Sequence, residues 1–115
     1  MLINLSNHPS ETWSSIQLAS AKESYQKVHD ISVPPISPEM SEIQITDLAQ
    51  NYVKQVIALK PTAVHIMGEM NFVHKCVTLL KMYDIKCIAS TTEREVIEDN
   101  GTKLSTFRFI QFREY

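Results

Sequence analysis

Short apolar runs alternate with stretches whose apolar residues recur at helical spacing, and few folds accommodate that order. Residues 2–6, 28–31, 62–67 and 86–90 are the strand candidates. The run at 62–67 is apolar on both faces, as a central strand of a parallel sheet must be. Between these runs lie three helical stripes. Leu18, Ala21 and Tyr25 form the first, and Ile45, Leu48, Ala49, Tyr52, Val53, Val56 and Ile57 the second. Phe72, Val73, Cys76, Val77, Leu80 and Tyr83 form the third. Strand and helix in strict alternation predict right-handed crossovers and a mostly parallel α/β sheet. The expected strand order is 2-1-3-4, with the switch point between the first and third strands.

Local signals refine this outline. Ser14-Ser15-Ile16-Gln17 fits a capping box, with Ser14 as N-cap and Gln17 reaching back to it. Trp13 at the preceding position can staple onto Leu18, with ligand stacking as the alternative. Pro34, Pro35 and Pro38 exclude regular structure after the second strand and leave a connection that could frame a pocket. Pro61 helps stop the second helix. Asp99-Asn100-Gly101-Thr102 is a hairpin signal, because Asn-Gly suits a type I′ turn. Strands over 94–98 and 103–112 are expected to flank it and to extend the sheet or cross to a partner. The whole chain, 1–115, reads as a single domain.

Composition narrows the function classes. With 115 residues, 43% hydrophobic and 21% charged, the chain has the make-up of one soluble globular domain. A formal net charge of −2 gives no general attraction to long nucleic acid or to anionic membranes. No secretory signal pattern is present, and no apolar run approaches the roughly 20 residues that span a bilayer. A cytoplasmic location is the expectation. Cys76 and Cys87 sit in apolar stretches without zinc-ligand spacing, so both are expected to be reduced core residues, and no metal site is expected.

Three of the strand candidates run into small polar clusters: Ser6-Asn7-His8-Pro9, Gly68-Glu69-Met70-Asn71 and Ser90-Thr91-Thr92-Glu93-Arg94. Neighbouring parallel strands would gather all three at one sheet edge, where open α/β sheets bind ligands. Gly68 permits a tight turn into a helix whose first N–H groups suit a phosphate. The repeated glycines of a dinucleotide fingerprint and the lysine of a P-loop are missing, so no nucleotide cofactor is expected. Glu69 has two readings, a helix cap favoured by the dipole or a base and ligand contact. Asn7 and Ser6 offer donors and acceptors, and histidine titrates near neutrality, which suits His8 to proton transfer; a plain turn is the alternative. Ser90, Thr91, Thr92 and Arg94 are good phosphate partners, with a Glu93–Arg94 ion pair as the alternative. His65, inside a strand, reads as a satisfied core residue.

The opening Leu2-Ile3-Asn4-Leu5-Ser6-Asn7-His8-Pro9, the central Val64-His65-Ile66-Met67-Gly68-Glu69-Met70, the late Ala89-Ser90-Thr91-Thr92-Glu93-Arg94 and the closing Phe112-Arg113-Glu114-Tyr115 resemble a known family. This is the family of small stand-alone, Csx-type CRISPR-associated accessory proteins found beside type III systems. The resemblance covers nearly the whole chain, and Ser90–Arg94 and the closing segment are its most specific parts. It implies a minimal CARF-like, Rossmann-like domain that acts as a homodimer. It also implies binding of cyclic oligoadenylate, the tetra-adenylate first, and in several small members ring opening that ends type III signalling. A non-catalytic sensor or sequestering protein for the same messenger is the alternative. The matching segments carry over Ser6, Asn7, His8, Gly68, Glu69, Thr91, Thr92, Glu93 and Arg94 without dividing their roles. On side-chain chemistry, His8, Glu69 and Arg94 are the candidate catalytic residues. Ser6, Asn7, Gly68, Met70, Asn71, Ser90, Thr91, Thr92 and Glu93 are the candidate ligand-binding residues.

Overall fold

A computed structural model describes residues 1–115. Its strands are β1 (Leu2–Leu5), β2 (Val28–Ile31), β3 (Ala63–Ile66), β4 (Lys86–Asp99) and β5 (Thr102–Glu114). Its helices are α1 (Ser15–Tyr25), α2 (Glu42–Ala58) and α3 (Met70–Met82), with a single 3-10 turn at Ser10–Thr12. The five strands form one sheet in the order β2-β1-β3-β4-β5. The first four are mutually parallel and β5 runs antiparallel to β4. The switch point lies between β1 and β3, in agreement with the Rossmann-like expectation.

Every residue of β1 and β3 is buried, because the sheet is covered on both faces. Ile3, Leu5, Val64, Ile66 and Cys87 pack against the buried stripes of α2 and α3. Leu2, Ala63 and Ile88 meet Ala21 of α1 on the other face. The starts of α1 and α2 are capped by serine. Ser14 Oγ accepts the Gln17 N–H, while Ser41 and Gln44 complete the reciprocal capping box at α2. The proline-rich connection seats Val33 and Ile36 on the α2–α3 core rather than beside the sheet edge. Both thiols are free and buried, and burial pushes Cys76 up to about 12 and Cys87 up to about 11, so neither is a ready nucleophile.

The fourth strand does not stop at Ser90. It continues to Asp99, and β5 begins at Thr102 and runs to Glu114. The polar run Ser90–Arg94 reads as a strand end, yet β5 supplies a partner for each of its residues. Asn100 and Gly101, at φ 49° and 80°, make the tight turn. The hairpin therefore projects as a two-stranded arm beyond the sheet edge. A β-bulge interrupts the ladder between Thr91 and Thr92. Thr92 pairs with Phe109 and Ser90 with Phe112. The extra residue in β5 thus puts Phe109 and Phe112, three apart in sequence, on the same face.

Candidate functional site

The carboxyl ends of β1 and β3, the α1 face of β4–β5 and the start of α1 enclose a cleft of about 660 Å³. That volume lies within the range of small-molecule sites. Ser6, Asn7 and His8 line it from the loop after β1. Thr12, Trp13, Ser14 and Gln17 line it from the 3-10 turn and the start of α1. His65, Met67 and Gly68 come from β3 and its exit, Ser90 and Thr92 from β4, and Phe107 and Phe109 from β5.

The floor is a row of polar side chains running across four adjacent strands. Register places Asn4 of β1 between Asp30 of β2 and His65 of β3. Asn4 Nδ2 donates to Asp30 Oδ1 at 2.8 Å and to the His8 carbonyl at 2.8 Å. Those two bonds fix the amide, so Oδ1 faces His65 Nδ1 at 2.9 Å and also accepts from Ser6 Oγ at 2.9 Å. An amide oxygen only accepts, so His65 carries its proton on Nδ1. Its Nε2 is left as the acceptor for Ser90 Oγ–H at 3.1 Å. Met67 Sδ lies 3.0 Å from the same hydroxyl, but a thioether is the weaker acceptor.

His65 is 2% exposed and Asn4 1%. Burial, followed by repulsion from His8, pushes the His65 pKa down to about 4. The ring is therefore neutral at neutral pH. Trp13 and Phe112 enclose it edge-on, at centroid distances of 5.1 and 5.7 Å. At the far end of the row, burial pushes the Asp30 pKa up. Hydrogen bonds from Asn4 and from the Ser10 hydroxyl and N–H outweigh that and hold it below the ordinary carboxylate value. The same bonds anchor the 3-10 turn that carries Trp13. The His8 loop is held by its backbone, because its carbonyl also accepts from Trp13 Nε1 at 3.1 Å and its N–H donates to Ser6 Oγ at 3.2 Å. The His8 residue itself is exposed at the cleft.

Of the residues singled out in the sequence, Ser6, Asn7, His8, Gly68, Ser90 and Thr92 converge on this cleft. The others sit elsewhere for identifiable reasons. Glu69 turns back to cap α3, its oxygens accepting Asn71 N–H at 3.0 Å, Phe72 N–H at 2.9 Å and Asn71 Nδ2 at 2.8 Å. The first-turn N–H groups expected to hold a phosphate are thus already occupied. The Phe72 N–H first, then Asn71, holds the Glu69 carboxyl below its ordinary pKa, which weakens it as a base. Met70 lies on a smaller groove with Val73 and Tyr115 that adjoins the cleft across Met67 and Gly68. Thr91, Glu93 and Arg94 are governed by strand alternation. Thr91 exchanges hydrogen bonds with the Gln111 backbone, and Glu93 pairs with Arg108 at 2.8 Å, both on the face away from the cleft. Arg94 shares the Thr92 face but lies further out along the arm, donating to Ser105 Oγ at 3.0 and 3.3 Å.

The sequence places His65 in the core without showing that it floors a cleft, favours a staple over a ligand-stacking role for Trp13, and gives no pointer to Phe107 and Phe109. The signal for His65 was available, since Asn4 and His65 are the single polar residues within β1 and β3. Two polar residues at matched positions in neighbouring buried strands must satisfy one another. The cleft offers hydroxyls, two amides, two imidazoles and aromatic faces, but no Lys or Arg lines it.

Comparison with known proteins gives a family. The chain matches the family described as "Uncharacterized protein MJ1673 family" over residues 1–113, and it belongs to that family. No curated protein and no solved structure matches it.

Proposed function

We propose that this member of the MJ1673 family binds a cyclic oligoadenylate, cyclic tetra-adenylate first, and opens its ring. The proposed chemistry is attack of a ribose 2′-hydroxyl on the adjacent phosphorus. The observation that carries the reading is the cleft itself. It brings hydroxyls, imidazoles and aromatic faces together at the switch-point edge of the sheet, the groups that ribose, phosphate and adenine require. The resemblance read in the sequence supplies the identity of the ligand. In this reading Trp13 and Phe107, the latter 70% exposed, offer stacking faces for adenine. Ser6, Ser90 and Thr92 receive ribose and phosphate oxygens. Glu69 is engaged in its cap, so proton transfer falls to His8 on its fixed loop. Arg94 lies beyond Thr92 on the same face of the arm, where a phosphate leaving the cleft would pass.

A homodimer belongs to the same proposal. Val96, Ile97, Leu104, Phe107 and Ile110 leave the arm with exposed apolar side chains that a two-fold copy could cover. One observation favours a second reading, a sensor that binds without cleaving. The cleft has no Lys or Arg to stabilise charge developing on phosphorus.

Incubation with cyclic tetra-adenylate in EDTA separates the readings. Linear products are expected, with His8→Ala reducing turnover by about 10²–10⁴-fold and leaving binding intact. Tight binding without products supports the sensor. Neither binding nor products overturns both.

A further inference from the structure

The proposed function uses Ser90 only as a ligand contact and gives Asn4 and His65 beneath it no part in bond making or breaking. We propose that Ser90 is a base-activated nucleophile, with His65 as its base and Asn4 as the group that orients the base. The class of substrate is an ester, with either a carbonyl carbon or a phosphorus as the electrophile. This inference goes beyond the cyclic oligoadenylate reading and does not depend on it.

A hydroxyl becomes nucleophilic when a base sits within hydrogen-bond reach and a third group holds that base in the right tautomer. Ser90 Oγ lies 3.1 Å from His65 Nε2, and Asn4 Oδ1 lies 2.9 Å from His65 Nδ1. The Asn4 oxygen forces the proton onto Nδ1, and burial keeps Nε2 unprotonated, so the ring takes the serine proton only as negative charge develops beside it on the attacked group. A Ser-His-Asn order has the same roles as the Cys-His-Asn arrangement of papain-like proteases. Asp30, accepting from Asn4 Nδ2 at 2.8 Å, fixes the amide that orients the ring. Ser90 lines the cleft and is only partly buried, so an electrophile can reach it. A network that served only to fix strand register would have no need to end on a hydroxyl facing a cleft.

The step balances. Ser90 Oγ forms a bond to the carbonyl carbon or phosphorus while its proton passes to His65 Nε2. The leaving oxygen departs with its bonding pair and collects that proton. Water then attacks the Ser90 ester, gives a proton to His65, and Ser90 leaves as the alkoxide that recovers it. The titratable or charged groups facing His65 are His8, from the loop after β1, and Asp30, one residue removed behind Asn4. Trp13 and Phe112 bring none.

Two probes test this without any assumption about the natural ligand. An alkyl fluorophosphonate loses fluoride on attack by an activated serine, and peptide mass mapping locates the adduct. The expected result is one adduct, on Ser90, absent in Ser90→Ala and formed at least about 100-fold more slowly in His65→Gln, in line with loss of a general base. The second probe is the Ser90→Cys protein, alkylated by iodoacetamide across a pH series. With His65 as partner, alkylation persists well below the pH where an ordinary thiol ionises, and Ser90→Cys combined with His65→Gln returns it to the ordinary range. The buried Cys76 and Cys87 remain silent as internal controls. If no fluorophosphonate adduct forms on Ser90 and the new thiol titrates like a free cysteine, the row is a structural network only and the proposal fails. His65→Gln protein that no longer melts cooperatively would leave the Ser90→Cys profile, on the native His65, as the deciding result.

Discussion

Asn4→Leu is expected to lower the unfolding free energy by about 3 kcal/mol or more, a substantial share of what a domain of this size possesses. Leucine fills nearly the same space, so little of the loss comes from a cavity. The loss comes from the partners left behind. Asn4 joins Asp30, the His8 carbonyl, Ser6 Oγ and His65 Nδ1, and the His65 and Ser6 groups are buried. A buried polar group stranded without a partner costs about 1–3 kcal/mol, and the buried His65 and Ser6 groups, unlike the exposed Asp30 and His8, have little water to turn to. Urea unfolding should show the midpoint falling with its slope unchanged. Adding His65→Leu should recover part of the loss, because an apolar pair no longer carries an orphaned donor. A loss below about 1 kcal/mol for Asn4→Leu would mean that the row is not held as described.

Acid is the second large effect. The unfolded chain takes up a proton on His65 near the ordinary 6.5, whereas the folded protein resists it until about 4. The unfolded state therefore binds more protons between those values, and stability falls as the pH falls through that window. Burial of the ring, and then the neighbouring His8 charge, are the causes. The difference corresponds to about 3 kcal/mol of folding free energy, present above the window and lost by its lower end. Asp30 acts with the same sign at lower pH, since its carboxyl is held below its ordinary value when folded and must be protonated there. Urea midpoints measured from neutrality downward should fall steeply across the His65 window, and His65→Gln should flatten that part of the curve. A wild-type curve already flat between 6.5 and 4 would show that His65 titrates freely and is not desolvated.

Much of the architecture was legible because its signals are local and periodic. The alternation of buried runs with the stripes of α1, α2 and α3 specifies a parallel sheet, and order 2-1-3-4 followed from it. Asn100-Gly101 announced the hairpin through the chemistry of positive φ. The length of β4 was not legible. Ser90–Arg94 has the polarity of a loop, and only pairing with β5, a long-range contact, makes it a strand. That single difference redistributes the third cluster, because alternation keeps Ser90 and Thr92 at the cleft and sends Thr91 and Glu93 to the opposite face. The Gly68–Glu69 turn misled in another way. A helix N-terminus after a strand suggests an anion site, but Glu69 supplies the anion from within the chain. His65 was read as a core residue, and it is one. Its role at the cleft emerges only once β1, β3 and β4 are laid side by side.

The cleft over the Asp30–Asn4–His65–Ser90 row is the proposed ligand site. Amide chemical-shift mapping on isotope-labelled protein titrated with cyclic tetra-adenylate tests that most directly. The account expects saturable shifts centred on Ser6–His8, Gly68, Ser90 and Thr92, together with the Trp13 indole, and little change along α2. Absence of any saturable shift, or shifts confined to the hairpin tip around Asn100 and Gly101, would contradict it.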